Sequence, residues 1–139
     1  MKFRLINSLT ESQTHDLHQL YQQEWWSKGR SLQEVTTVLA HSDLVFGLCD
    51  PTTERLLAFT RLLTDRVFKA ILFDVIVHQD HRGEGLGTEL MQQVLNHPVV
   101  QQVQHVELYC LPERFRLYRS LGFTEELGTL RLMRRSRSA

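Results

Sequence analysis

The residues of this chain best suited to chemistry lie together in Asp74-Val75-Ile76-Val77-His78-Gln79-Asp80-His81-Arg82-Gly83-Glu84-Gly85-Leu86-Gly87-Thr88. An apolar run leads into three glycines within five residues. A helical pattern, Leu86, Leu90, Val94 and Leu95, starts inside those glycines. A helix N-terminus offers unpaired N–H groups and a partial positive charge. Glycines let a backbone approach an anion without interference from Cβ atoms. Together they predict a phosphate cradle, to which Arg82 adds a fixed charge able to reach a phosphate oxygen. The competing reading is a glycine-rich turn that only joins a strand to a helix.

Two other phosphate loops are disfavoured. A Walker A loop ends in Gly-Lys-Ser or Gly-Lys-Thr, and this stretch has neither. A dinucleotide fingerprint needs glycine three positions after Gly85, where Thr88 stands. That fingerprint also lies near the start of a larger βαβ array, whereas two predicted helices and three strands precede the strand that enters this loop.

The elements that must position the loop follow from periodicity and punctuation. Phe3 to Ile6 fits a short edge strand. Thr10 with Gln13, and Ser31 with Glu34, have the spacing of two capping boxes and predict two helix starts. Leu17, Leu20, Tyr21 and Trp25 line the first helix, which Gly29-Arg30 breaks; Val35, Val38 and Leu39 line the second. Leu44 to Cys49 and Leu56 to Leu63 predict a hairpin around Asp50-Pro51. Phe68 to Val77 is apolar enough for a central strand covered on both faces. Asn96-His97-Pro98 stops the helix that follows the glycines. Val103 to Cys110 predicts another strand, and Pro112 to Ser120 a short helix. Phe123 to Glu126 and Leu130 to Met133 predict a last hairpin around Gly128. Residues 134–139 read as a frayed, solvated tail.

Composition limits the function. The chain has 139 residues, which fits a single domain over 1–139, and a core of that size needs no disulfide or metal staple. Sixteen basic and sixteen acidic residues give no net charge, which argues against a nucleic-acid partner held by its phosphate backbone. No apolar run is long enough to span a membrane, and the N-terminus lacks a signal-peptide core. Cys49 and Cys110, far apart in apolar surroundings, read as reduced thiols of a cytoplasmic protein.

Arg82-x-x-Gly85-x-Gly87, preceded by Val75-Ile76-Val77, resembles the acetyl-CoA signature of the GNAT superfamily of acetyltransferases. A second segment agrees. Leu108-Tyr109-Cys110, followed by Tyr118-Arg119-Ser120-Leu121-Gly122-Phe123, is similar to that family's strand and terminal helix. The order of elements, two helices and then a hairpin, also matches. The resemblance covers nearly the whole chain. It implies an α/β (α+β) fold with a mixed, mostly antiparallel sheet of six to seven strands and about four helices, whose fourth and fifth strands splay apart. It implies acetyl-CoA as co-substrate, its pantetheine arm paired with the backbone of Val75, Ile76 and Val77. Its pyrophosphate would be held by Arg82, Gly83, Glu84, Gly85, Leu86, Gly87 and Thr88. Leu111 departs from the pattern, standing near where many members carry an asparagine.

The resemblance further implies direct acetyl transfer from the thioester to a primary amine, small or on a protein. The step needs a base for the ammonium, donors for the oxyanion and an acid for the leaving thiolate. The position of Tyr118 in the family motif makes it the candidate acid; a packed aromatic is the plain alternative. Asp74, a carboxylate in an apolar strand, must be paired or functional. A base that steers an ammonium and a structural hydrogen bond are both open for it, with Glu24, Glu107 and His78 as weaker bases. The adjacent Trp25 and Trp26 cannot share one helical face. One belongs in the core, and the other is a candidate wall of the acceptor pocket that would suit an apolar or cationic amine. An acetyl-cysteine at Cys110 lacks a histidine at triad spacing. No metal is expected, a homodimer is compatible with the fold, and a non-catalytic acyl-CoA-binding module remains the alternative function.

Overall fold

The structure, a computed structural model, describes residues 2–137. The chain divides into two compact units, one running to Tyr109 and the other beginning at Cys110. Of the predicted frayed tail, 134–137 take no regular structure, and 138 and 139 lie outside the described residues.

In the larger unit, strand β1 is Arg4–Ile6, helices α1 and α2 are Glu11–Gln22 and Leu32–His41, and strands β2 and β3 are Leu44–Cys49 and Leu56–Thr64. Strand β4, Lys69–Val77, leads through a 3-10 turn at Gln79–His81 into helix α3, Leu86–Leu95. A short helix α4, Pro98–Gln102, then precedes strand β5, His105–Leu108. Both predicted capping boxes form. Thr10 accepts from the Gln13 N–H at 3.1 Å and Ser31 from the Glu34 N–H at 3.0 Å, each with the reciprocal bond.

The five strands lie in sequence order, β1 to β4 antiparallel and β5 parallel to β4. Helices α1 and α2 cover one face. Leu17, Leu20, Tyr21 and Val35 pack there with Ile6, Cys49, Leu56, Phe59 and Ile76. Helix α3 packs on β2, β3 and β4 through buried Leu86, Leu90, Met91 and Val94. Pairing of β4 with β5 ends at Leu72 opposite Leu108, yet β4 continues to Val77. Among the described residues, the far end of β4 therefore has no strand neighbour on its β5 side, as splayed central strands require.

One irregularity matters. Between β3 and β4, Phe59 faces Ile76 but Arg61 faces Phe73, so Thr60 stands opposite both Asp74 and Val75. This is a β-bulge, and Asp74 carries it with φ +58°. Aspartate is among the few non-glycine residues that enter this left-handed region readily. Thr60 Oγ1 donates to the Phe73 carbonyl at 2.8 Å beside it.

In the smaller unit a 3-10 turn at Pro112–Arg114 runs into helix α5, Phe115–Ser120. The described residues thus hold five strands rather than six or seven, and five α-helices rather than four. The missing strands are the expected hairpin of 123–126 and 130–133. Those segments stay irregular, and Leu130, Leu132 and Met133 are exposed. A hairpin needs a face to bury, and Glu125 and Glu126 leave its first arm without one. The extra helix is α4. Asn96 ends α3 as expected, but Pro98 occupies the first position of a new helix whose N-cap is His97, the His97 Nδ1 accepting from the Val99 N–H at 3.2 Å. Proline at that position starts helices as readily as it ends them.

Candidate active site

The cradle forms where the glycine pattern places it. Gly83 and Gly85 both take φ +82°, and Gly85 is the N-cap of α3 without any side-chain cap. An L side chain at either position would be strained. The first-turn amides of α3 have no intrahelical partner, so they remain as donors at the positive end of a ten-residue helix. Leu86 is fully buried and anchors that end, while Gly87 and Thr88 lie in its first turn.

The charged groups of the cradle are already engaged. Arg82 pairs with Glu24 at 2.6 Å. Glu84 brings a negative charge into the cradle, with His81 Nδ1 3.4 Å and Lys2 Nζ 3.8 Å from its carboxylate. His81 Nδ1 is buried and lacks hydrogen-bond geometry toward any partner.

Val77 lies with its carbonyl toward α1, accepting from Gln23 Nε2 at 2.8 Å, while Gln23 Oε1 accepts from the Gln79 N–H at 3.1 Å. One amide side chain thus clasps the chain on both sides of His78. Ile76, opposite Phe59 and almost fully buried, contributes to the core. Val75 lies in the bulge next to Asp74.

Asp74 is the centre of a charge cluster. Its Oδ2 accepts from Tyr21 Oη at 2.8 Å, Arg30 Nη1 at 2.9 Å and Arg61 Nε at 2.7 Å. Burial pushes its carboxyl up, but Arg61 and Arg30 outweigh burial and hold it below the usual carboxylate range. Burial first, and then the Asp74 charge, push the Tyr21 phenol far above its ordinary value. A carboxylate so stabilised in its charged form is a weak proton acceptor.

The remaining candidate bases also have partners. Glu24 holds Arg82, and Glu107 pairs with Lys69 at 3.1 Å. His78 accepts from the Asp80 N–H at Nδ1 and faces an Arg55 amine across 3.1 Å at Nε2. Burial and then Arg55 lower its pKa, so it is neutral at physiological pH. Trp25 is 77 % exposed. The Trp26 ring lies 5.6 Å from the Arg30 guanidinium, so neither tryptophan is a core residue.

Tyr118, in the smaller unit, is buried on α5 and meets Phe123 edge to face at 5.8 Å. Burial pushes its phenol up, with Cys110 adding to the rise. Cys110 is itself a free thiol raised by burial.

Arg30, Arg61, Tyr21 and Gln23 were absent from the sequence candidates. The available signal was Arg61, a charge inside the apolar strand Leu56 to Leu63. A second isolated charge of opposite sign, Asp74, stands in the next strand.

Residues 5–123 match the model of the acetyltransferase (GNAT) family. The chain belongs to that family. The ycf52 N-acetyltransferase of Porphyra purpurea, itself uncharacterized, is 32% identical over 114 residues, covering 81% of this chain and 65% of that protein. A ycf52-like protein of Prochlorococcus marinus is 36% identical over 113 residues, covering 80% and 62%. The matched region therefore spans under two-thirds of either relative. The crystal structure of a GNAT-family protein from Xanthomonas campestris superposes with a TM-score of 0.79 at 31% identity, covering 96% of this chain and 94% of the other. No helix among the described residues is long and apolar enough to cross a membrane.

Proposed function

We propose that this protein is an acetyl-CoA-dependent N-acetyltransferase that moves the acetyl group directly to a primary amine, small or on a protein. The observation that carries the reading is the strand-to-cradle junction. β4 outruns its β5 pairing and leads, through the turn at Gln79–His81, into two left-handed glycines and an uncapped helix N-terminus. That arrangement suits a long ligand with an amide-bearing arm and a pyrophosphate.

The residues fit such a ligand. The amides of 85–88 would hold the pyrophosphate, with Arg82 turning from Glu24 toward it. The open edge of β4 at Val75 and Val77 would pair with the pantetheine arm. When bound, acetyl-CoA supplies an activated thioester. The Val75 N–H, next to the bulge, is our candidate donor to the oxyanion. By its place in the family motif, Tyr118 is the candidate that gives its proton to the leaving thiolate as the C–S bond breaks and the amine's C–N bond forms. The raised Tyr118 phenol stays protonated at neutral pH, as an acid requires. We assign removal of the ammonium proton to solvent, because the Asp74 carboxylate is stabilised as an anion by three donors. Asp74 then serves as the anchor of Arg30 and Arg61. The two free thiols support a reducing compartment, in the simplest case the cytoplasm.

Calorimetric titration with CoA, together with a thiol-release assay on acetyl-CoA and an amine panel, tests this. Tight CoA binding with amine-dependent thiol release is expected. Binding with no acceptor-dependent release would instead support a non-catalytic acyl-CoA-binding module.

A further inference from the structure

The cluster around Asp74 has more positive than negative charge. Two guanidiniums, Arg30 and Arg61, share one carboxylate oxygen. Each spends a single N–H on it. Among the described residues, neither guanidinium makes another hydrogen bond. Tyr21, the third donor, is neutral, being held well above its ordinary range. The excess is one unit of positive charge in a partly desolvated place. The Arg30 and Arg61 side chains are 30% and 16% exposed.

Aromatic rings fix these guanidiniums. Arg30 lies 4.6 Å from the Tyr21 ring centroid and 5.6 Å from that of Trp26. Arg61 lies 4.9 Å from the centroid of the Phe73 ring, which meets Tyr109 in a T-shaped contact. A guanidinium stacked on rings keeps its remaining N–H groups in a plane, ready for a planar or tetrahedral anion. The same stacking places Arg30 beside Trp26, where a cationic ligand would seek the ring. An ammonium there would meet an arginine, not a free ring or a free carboxylate.

We propose that Arg30, supported by Arg61 and Trp26, is an anion subsite that selects acceptors carrying a carboxylate or phosphate beside their amine. The inference rests on the acetyltransferase reading, because Asp74 directly precedes the β4 residues given to the pantetheine arm. It names the chemical class of the acceptor. Asp74 in this view does not attract the amine; it holds the two arginines at fixed spacing.

The test uses matched pairs on the whole protein saturated with CoA. An ω-amino carboxylate is compared with its primary amide, and aminoethyl phosphate with ethanolamine. An arylethylamine without an acid group serves as the purely cationic arm. Binding is read by calorimetry, and kcat/KM by thiol release from acetyl-CoA. The anionic member of at least one pair is expected to bind about 10- to 100-fold tighter than its neutral partner, the size of a charge-assisted hydrogen bond. Which pair shows the larger gap distinguishes a carboxylate from a phosphate. In Arg30→Gln the gap should shrink to about twofold or less, and in Arg30→Lys part of it should return. Arg4→Gln, which removes a guanidinium paired with Glu54 on β1, should keep the wild-type gap. Equal binding within both pairs, preference for the arylethylamine, or an undiminished gap in Arg30→Gln would overturn the subsite. A gap in binding without thiol release from any amine would uphold the subsite and count against the acetyltransferase reading alone.

Discussion

Asp74 meets two separate demands. Its backbone sits at φ +58° in the β4 bulge, and its carboxylate joins two arginines and a phenol. Asp74→Asn satisfies the first demand and fails the second. It should cost about 3–5 kcal/mol in denaturant unfolding, since it leaves two guanidiniums without their counter-ion. The pH dependence has a definite sign. A carboxyl held low in the folded protein adds stability above its unfolded pKa, near 3.9, and that stability is lost as pH falls through the folded value. The gap between wild type and Asp74→Asn should therefore be full at pH 7 and shrink below about pH 4. Tyr118 makes a different prediction. Tyr118→Phe should lower turnover by about 10²–10⁴ if the phenol is the acid, with CoA affinity and melting temperature little changed. Unchanged turnover in the purified variant would remove Tyr118 from the mechanism. At this scale the sequence showed that Asp74 must be paired or functional, because a lone carboxylate in an apolar strand is costly. It could not show which partners, since Tyr21, Arg30 and Arg61 come from distant positions that only the fold joins.

The stretch between α1 and α2 touches both halves of the candidate site. Gln23 clasps Val77 and Gln79, Glu24 holds Arg82, and Arg30 reaches Asp74. The glycine cradle is the other decisive element. Gly85→Ala adds a Cβ with nothing within 4 Å to strike, so its cost is conformational. We expect about 1–2 kcal/mol of lost stability from the left-handed backbone. If the cradle relaxes instead, CoA affinity should drop by about tenfold or more through misdirected amides. Calorimetry on the variant separates the two effects. Elements with local signals were legible: both capping boxes and the glycine loop need only neighbouring residues. The β4 bulge was hidden, because a strand apolar on both faces has no alternation to break. The last hairpin has a local strand pattern but no partner surface, which a sequence pattern alone does not reveal. Helix α4 is hidden in the sequence because a proline that ends one helix can also open the next.

For the molecule as a whole, zero net charge limits what long-range electrostatics can contribute. The anionic ligand proposed for the cradle would meet a local arrangement of amides and Arg82, within a surface of mixed sign. CoA affinity should accordingly fall by less than about tenfold as salt rises from about 0.05 to about 0.3 M, far less than for a protein that binds a nucleic-acid backbone. A steeper fall would mean that distant charges take part. The Gln23–Arg30 strip has one more consequence. The chain's only two tryptophans are Trp25 and Trp26, and both lie within it, one largely in solvent and one beside a guanidinium. The tryptophan emission of the unmodified protein, excited beyond the tyrosine band, therefore comes from this strip. A ligand that draws Arg82 from Glu24 should alter that emission, as should an anion that engages Arg30. Each would act from its own side of the strip, so the protein has a built-in optical reporter for both binding events.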